Sequence, residues 1–137
     1  MKTVFLAKID LLRSMLEWIR TGLLPMEFDC KILRRVELAS EEALVNIIRH
    51  AYQNCDEKIE IDVKVFPKSH VEIIFRDQGP PFDPLQMPAP DLSTGLEERK
   101  VGGLGIHLMR QYIDEIRYTR ERDQNVLVFI IRSSQSG

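Results

Sequence analysis

Five of the seven prolines lie between Pro80 and Pro90, and five of the seven glycines lie between Gly79 and Gly105. Both residue types interrupt regular structure, proline by fixing φ and removing a donor, glycine by freeing the backbone. Their concentration predicts one loop of about twenty residues, and so long a loop in a small domain is usually functional or disordered. The chain on either side is periodic, and that periodicity predicts the elements.

A strand is expected at Thr3–Ala7. Leu11, Leu12, Met15, Leu16, Ile19 and Leu23 then recur at helical spacing, with Asp10 as the expected N-cap and Gly22 and Pro25 as the end. A second helix is expected from Asp29 to Tyr52. Ile59, Ile61, Val63 and Val65 alternate with Glu60, Asp62 and Lys64, the pattern of a half-buried strand. After a turn at Pro67–His70, Val71–Arg76 predicts its antiparallel neighbour. Beyond the loop come a helix at Leu104–Tyr112 and strands at Glu115–Arg120 and Val126–Arg132. The order β-α-α-β-β-loop-α-β-β packs most economically as a sheet with helices on one face. One domain over residues 1–133 is expected, with 134–137 as a frayed tail.

The charge balance excludes some functions. Nineteen basic against twenty-one acidic residues leave a net charge of −2, against general nucleic-acid binding, which relies on a basic surplus. Cys30 and Cys55 fit neither a disulfide framework nor a zinc motif and read as two partly buried thiols in a reducing compartment. The longest apolar run is Val126–Ile131, far short of the roughly 18 residues of a membrane span. Lys8 breaks the first apolar stretch too early for a signal peptide, so a cytoplasmic location is expected.

Three stretches carry chemistry. On the second helix, Glu42, Asn46, Arg49 and His50 fall within one stripe, while Leu33, Val36, Leu44, Ile47, Ile48 and Ala51 fall on the other side. The stripe is either a solvated face or a site. A carboxylate and an amide oxygen at i and i+4 can meet one nucleophile and one Mg²⁺. Asp77 stands where a strand runs into the loop. It is either a turn residue or an acceptor for an adenine amino group, with Gly79 either a turn glycine or the gap that admits the base. Finally, Gly102, Gly103 and Gly105 open a helix, where free N–H groups and the dipole suit phosphate. The dinucleotide G-x-G-x-x-G, the P-loop and the H-R-D of eukaryotic protein kinases are all missing from the sequence.

Together these stretches resemble the Bergerat ATP-binding fold of gyrase-type ATPases, heat-shock chaperones, mismatch-repair proteins and histidine kinases. Within it, the chain is most similar to the small anti-sigma-factor serine/threonine kinases of bacterial partner-switching systems. The carriers of the resemblance are Glu42-Ala-Leu-Val-Asn-Ile-Ile-Arg-His-Ala-Tyr52, Asp77-Gln-Gly-Pro-Pro-Phe-Asp83, Gly102-Gly-Leu-Gly-Ile-His-Leu-Met109 and Asp114-Glu-Ile-Arg-Tyr118. The resemblance implies an α+β two-layer sandwich, with a mixed, mostly antiparallel sheet and three helices on one face.

The resemblance also implies ATP and Mg²⁺ as cofactors. Asn46 would hold the metal, Asp77 would bind the adenine amino group and Gly79 would shape the pocket. Gly102, Gly103 and Gly105 would line the phosphates. The loop from Asp83 to Val101 would be a lid from which Lys100 reaches the γ-phosphate, and Glu42 would be the general base. It implies an anti-sigma antagonist protein and/or a sigma factor as partner, with neither direct nucleic-acid nor membrane binding, and it leaves a homodimer open. One departure stands out. Many members carry a threonine near the adenine in the last strand, and Asn125-Val-Leu-Val128 offers none.

Overall fold

A computed structural model describes residues 1–51, 57–86 and 103–133. The strands are β1 (Lys2–Leu6), β2 (Lys58–Phe66), β3 (His70–Asp77), β4 (Glu115–Glu121) and β5 (Gln124–Arg132). The helices are α1 (Leu12–Leu23), α2 (Cys30–Ala51) and α3 (Gly103–Tyr112). All the expected elements form, within a few residues of the expected bounds. The tail 134–137, most of the lid, Tyr52 and Cys55 lie outside the described residues, and Cys30 is exposed, not partly buried as expected.

The five strands make one sheet in the order β1-β2-β3-β5-β4. Every pairing among the described residues is antiparallel, so the sheet is not mixed as expected. Alternation puts one side of each strand inward. Ile59, Ile61 and Val63 of β2, Val71, Ile73 and Phe75 of β3, and Leu127, Phe129 and Ile131 of β5 share one cluster. Met15 and Ile19 of α1, Val36 and Leu44 of α2, and Met109 of α3 complete it. The helices therefore cover a single face of the sheet. At the centre, Phe75 meets Phe129 edge to face, with ring centroids 5.2 Å apart.

Two local expectations are corrected. Asp10 does not cap α1. It sits inside a short 3-10 turn, Ile9–Leu11, and Leu11 takes the N-cap position without a side-chain bond. Gly22 does not end α1 either; it is buried within the helix. A Cβ there would stand 3.1 Å from Val63 Cβ, so the glycine is a close-approach point between α1 and β2. Pro25 does mark the stop, in the turn Leu24–Met26 that follows. For α2, Asp29 acts as the cap: its Oδ1 accepts the Ile32 N–H at 2.8 Å.

Candidate functional site

The site forms where α2, the end of β3, the start of β5 and α3 converge. Antiparallel pairing puts Asp77, the last residue of β3, directly opposite Asn125. Asn46, His50, Asp77, Phe82, Met109, Tyr118 and Asn125 are among the residues lining a cleft there. Asn46 and Asp77, predicted from separate motifs, thus share one cavity. Gly79 is at hand, its N–H donating to Asp77 Oδ1 at 2.9 Å. A Cβ on Gly79 would lie 2.9 Å from the same oxygen, so the glycine admits the carboxylate as well as the turn.

Asn46 is not on a solvated stripe; only 7% of it is exposed. On a helical wheel it lies at the border of the apolar face, beside the small, buried Ala39 and Ala43, which leave room for it. Its Nδ2 has no hydrogen-bond partner among the described residues. A buried amide left unpaired is costly, and in a cleft it points to a ligand oxygen.

Glu42 lies one turn before Asn46 and is not among the residues lining the cleft. Burial raises its carboxyl above the ordinary glutamate value, neighbouring Glu41 adds to the rise, and Arg49 opposes it. Burial also raises the Asp77 carboxyl. Hydrogen bonds from Asn125 and Gly79 pull it back, as do the charges of Arg120 and His50. Gly103 begins α3, and Gly105 stands in its first turn, as expected of a glycine-opened helix. Lys100 and Gly102 lie outside the described residues.

Sequence reasoning missed the residues that hold this arrangement. Asn125 Nδ2 donates to Asp77 Oδ1 at 3.1 Å and to the Pro80 carbonyl at 2.9 Å. Its Oδ1 accepts the Tyr118 hydroxyl at 2.5 Å and the Phe82 N–H at 3.3 Å. Arg120 Nη1 binds the Gly79 carbonyl at 2.7 Å, and Arg110 of α3 donates to the Leu85 carbonyl. His50, which the sequence already placed in the stripe of α2, packs on Phe82 with ring centroids 4.3 Å apart. One signal was available: a lone amide at the head of the apolar run Val126–Ile131.

Comparison with known proteins agrees with this fold. The family model for the histidine kinase-like ATPase domain matches residues 5–131. The chain belongs to this family. It is 27% identical to the serine/threonine-protein kinase BtrW of Bordetella bronchiseptica over 120 residues, 87% of this chain and 84% of that one. It is 26% identical to the anti-sigma F factor of Pasteuria penetrans over 106 residues, 77% and 71% of the two chains. The likeness to anti-sigma-factor kinases read from the motifs therefore holds across most of this ATPase-like domain. Among solved structures, the histidine kinase domain of the Erythrobacter litoralis EL346 blue-light activated kinase superposes with a TM-score of 0.56 at 16% identity. That match covers 91% of this chain and 62% of that one, and supports the α+β fold. No described helix is long and apolar enough to cross a membrane.

Proposed function

We propose that this ATPase-like domain, spanning residues 1–133, is a regulatory serine/threonine kinase of a bacterial partner-switching system, acting in the cytoplasm. It phosphorylates an anti-sigma antagonist protein, holds a sigma factor, or does both. The observation that carries this reading is the convergence of two buried polar side chains, Asn46 and Asp77, on one cleft. The names of the BtrW kinase and the anti-sigma F factor supply the class of acceptor and partner.

In this reading Asp77 accepts a hydrogen bond from the adenine amino group, and Gly79 leaves space beside it. Gly103 and Gly105 offer backbone N–H groups to phosphate at the start of α3; Gly102 beside them, and Lys100 of the lid, would add to that cradle. The unpaired, buried Nδ2 of Asn46 is a donor and fits a phosphate oxygen, while the Oδ1 of the same side chain would be the atom that meets a metal. Asn46 would hold Mg²⁺, which would offset the negative charge of the phosphates. Glu42 takes the proton from the attacking serine or threonine hydroxyl. Its raised carboxyl supports that role, because a base works best with a pKa closer to the working pH.

Two measurements test the reading. Calorimetry should show ATP and ADP binding to the unmutated chain, and no binding would end the nucleotide reading. With radiolabelled ATP and an antagonist protein from the same organism, Glu42→Gln should keep nucleotide binding and lose transfer by a factor of about 10²–10⁴. An unmutated chain that binds ATP and a sigma factor yet labels no antagonist would instead be a non-catalytic, ATP-gated switch.

A further inference from the structure

We infer that Asn125 is a positioning residue of this site: without contacting ligand, it fixes Asp77 and the first loop residues so that one carboxylate oxygen faces the cleft. This rests on the nucleotide reading only for what that oxygen recognises.

A side-chain amide has two N–H donors and one oxygen with two acceptor positions. In Asn125 all four are used. The donors meet Asp77 Oδ1 and the Pro80 carbonyl, with the Gly79 carbonyl at 3.5 Å, and the oxygen meets the Tyr118 hydroxyl and the Phe82 N–H. The partners also set the orientation. Turning the amide over would put its oxygen against a carboxylate and two carbonyls, and its NH₂ against an N–H. With no valence left, Asn125 can offer a ligand nothing.

Its effect on Asp77 follows. Asp77 Oδ1 receives Asn125 Nδ2 and the Gly79 N–H, so Oδ2 is the oxygen left for a ligand donor. The same amide holds the loop at Pro80 and Phe82, so the loop root and the carboxylate are set together. Tyr118 brings β4 into the arrangement and Arg120 secures Gly79 from the same strand. The charged groups around Asp77 are His50 of α2, Arg120 of β4 and, beyond the Gln78 N–H that it accepts at 2.8 Å, Glu57 ahead of β2.

The test uses two readouts on the full chain, with folding of each variant checked by circular dichroism. Carbon-detected NMR follows the titration of the Asp77 carboxyl without ligand, and calorimetry follows ATP. Asn125→Ala removes a bond that favours the ionised carboxylate, so the Asp77 midpoint should rise. Asn125→Asp puts a second carboxylate at the same place and should raise the midpoint of the pair further. Asn125→Ala should weaken ATP binding about 5- to 30-fold. A residue that only supported the fold would lower stability and leave the midpoint of Asp77 where it was. An unmoved midpoint in a folded Asn125→Ala chain would overturn the inference, as would ATP affinity within twofold of a parent that binds ATP. If the midpoint moves but the parent binds no nucleotide, Asn125 keeps its role and the nucleotide reading fails alone.

Discussion

Asn46 and Asn125 are equally buried, each 7% exposed, and the fold treats them in opposite ways. Asn125 has every hydrogen-bonding position filled by β3, β4 and the loop root. Asn46, across the same cleft on α2, has a donor with no partner among the described residues. The β-sheet side is finished before anything binds and suits a rigid group read at fixed geometry. On the α2 side the Asn46 Nδ2 is unsatisfied among the described residues, and a ligand that supplies an acceptor would relieve it. Preorganisation on one side and unmet polarity on the other is what a site needs to read one part of a ligand and grip another.

The contrast predicts opposite results for the same substitution. Asn125→Ala strands Asp77, Tyr118 and loop backbone groups, and should cost about 2–4 kcal/mol of stability. Asn46→Ala removes a donor, Nδ2, that has no partner among the described residues, so stability should change by less than about 1 kcal/mol. Yet Asn46→Ala should weaken Mg²⁺–ATP binding on the order of 100-fold, because it removes the only predicted metal ligand. Urea denaturation and calorimetry on both variants check this. Equal stability losses would break the comparison.

Asp77 lies on the finished side but carries a cost of its own. Its carboxyl is raised in the folded chain, chiefly by burial. The stabilisation linked to a raised carboxyl is fully present below the unfolded value, near pH 4, and is lost as pH rises through the folded value. At neutral pH the ionised Asp77 therefore opposes folding. Asp77→Asn keeps an oxygen for Asn125 and Gly79, so it should raise the melting temperature at neutral pH. That gain should shrink as pH falls toward about 4. It should also weaken ATP binding by about 1–3 kcal/mol, since an amide N–H replaces the free acceptor. A variant both less stable and weaker in binding would mean that the ionised carboxylate supports the fold.

The sequence disclosed the two sides unevenly. Glu42, Asn46, Asp77 and the glycines sit in local patterns, and the periodicities on either side of the loop gave all eight elements. Asn125 is 48 residues from Asp77, and only the β3–β5 register brings them face to face. Strand order and register are long-range properties that no local pattern contains. Gly22 was misread for a related reason: its role depends on Val63, in a strand about forty residues on. The burial of Asn46 was partly legible, since the small residues beside it narrow the helix, but a wheel alone does not show what packs there.

The smallest effect concerns how the finished side is completed. Tyr118 donates to Asn125 Oδ1, and its ring lines the cleft. Tyr118→Phe keeps the ring and removes one donor from an oxygen that still accepts the Phe82 N–H. Because Tyr118 is only partly buried, water can replace the hydroxyl, so the loss should stay near 0.5–1.5 kcal/mol. The informative quantity is the coupling with Asn125. In a double-mutant cycle, Tyr118→Phe should cost less in the Asn125→Ala background than alone, because its acceptor is gone. Additive losses would mean that the Tyr118 hydroxyl acts independently of Asn125, and that the amide is held by β3 and the loop without β4.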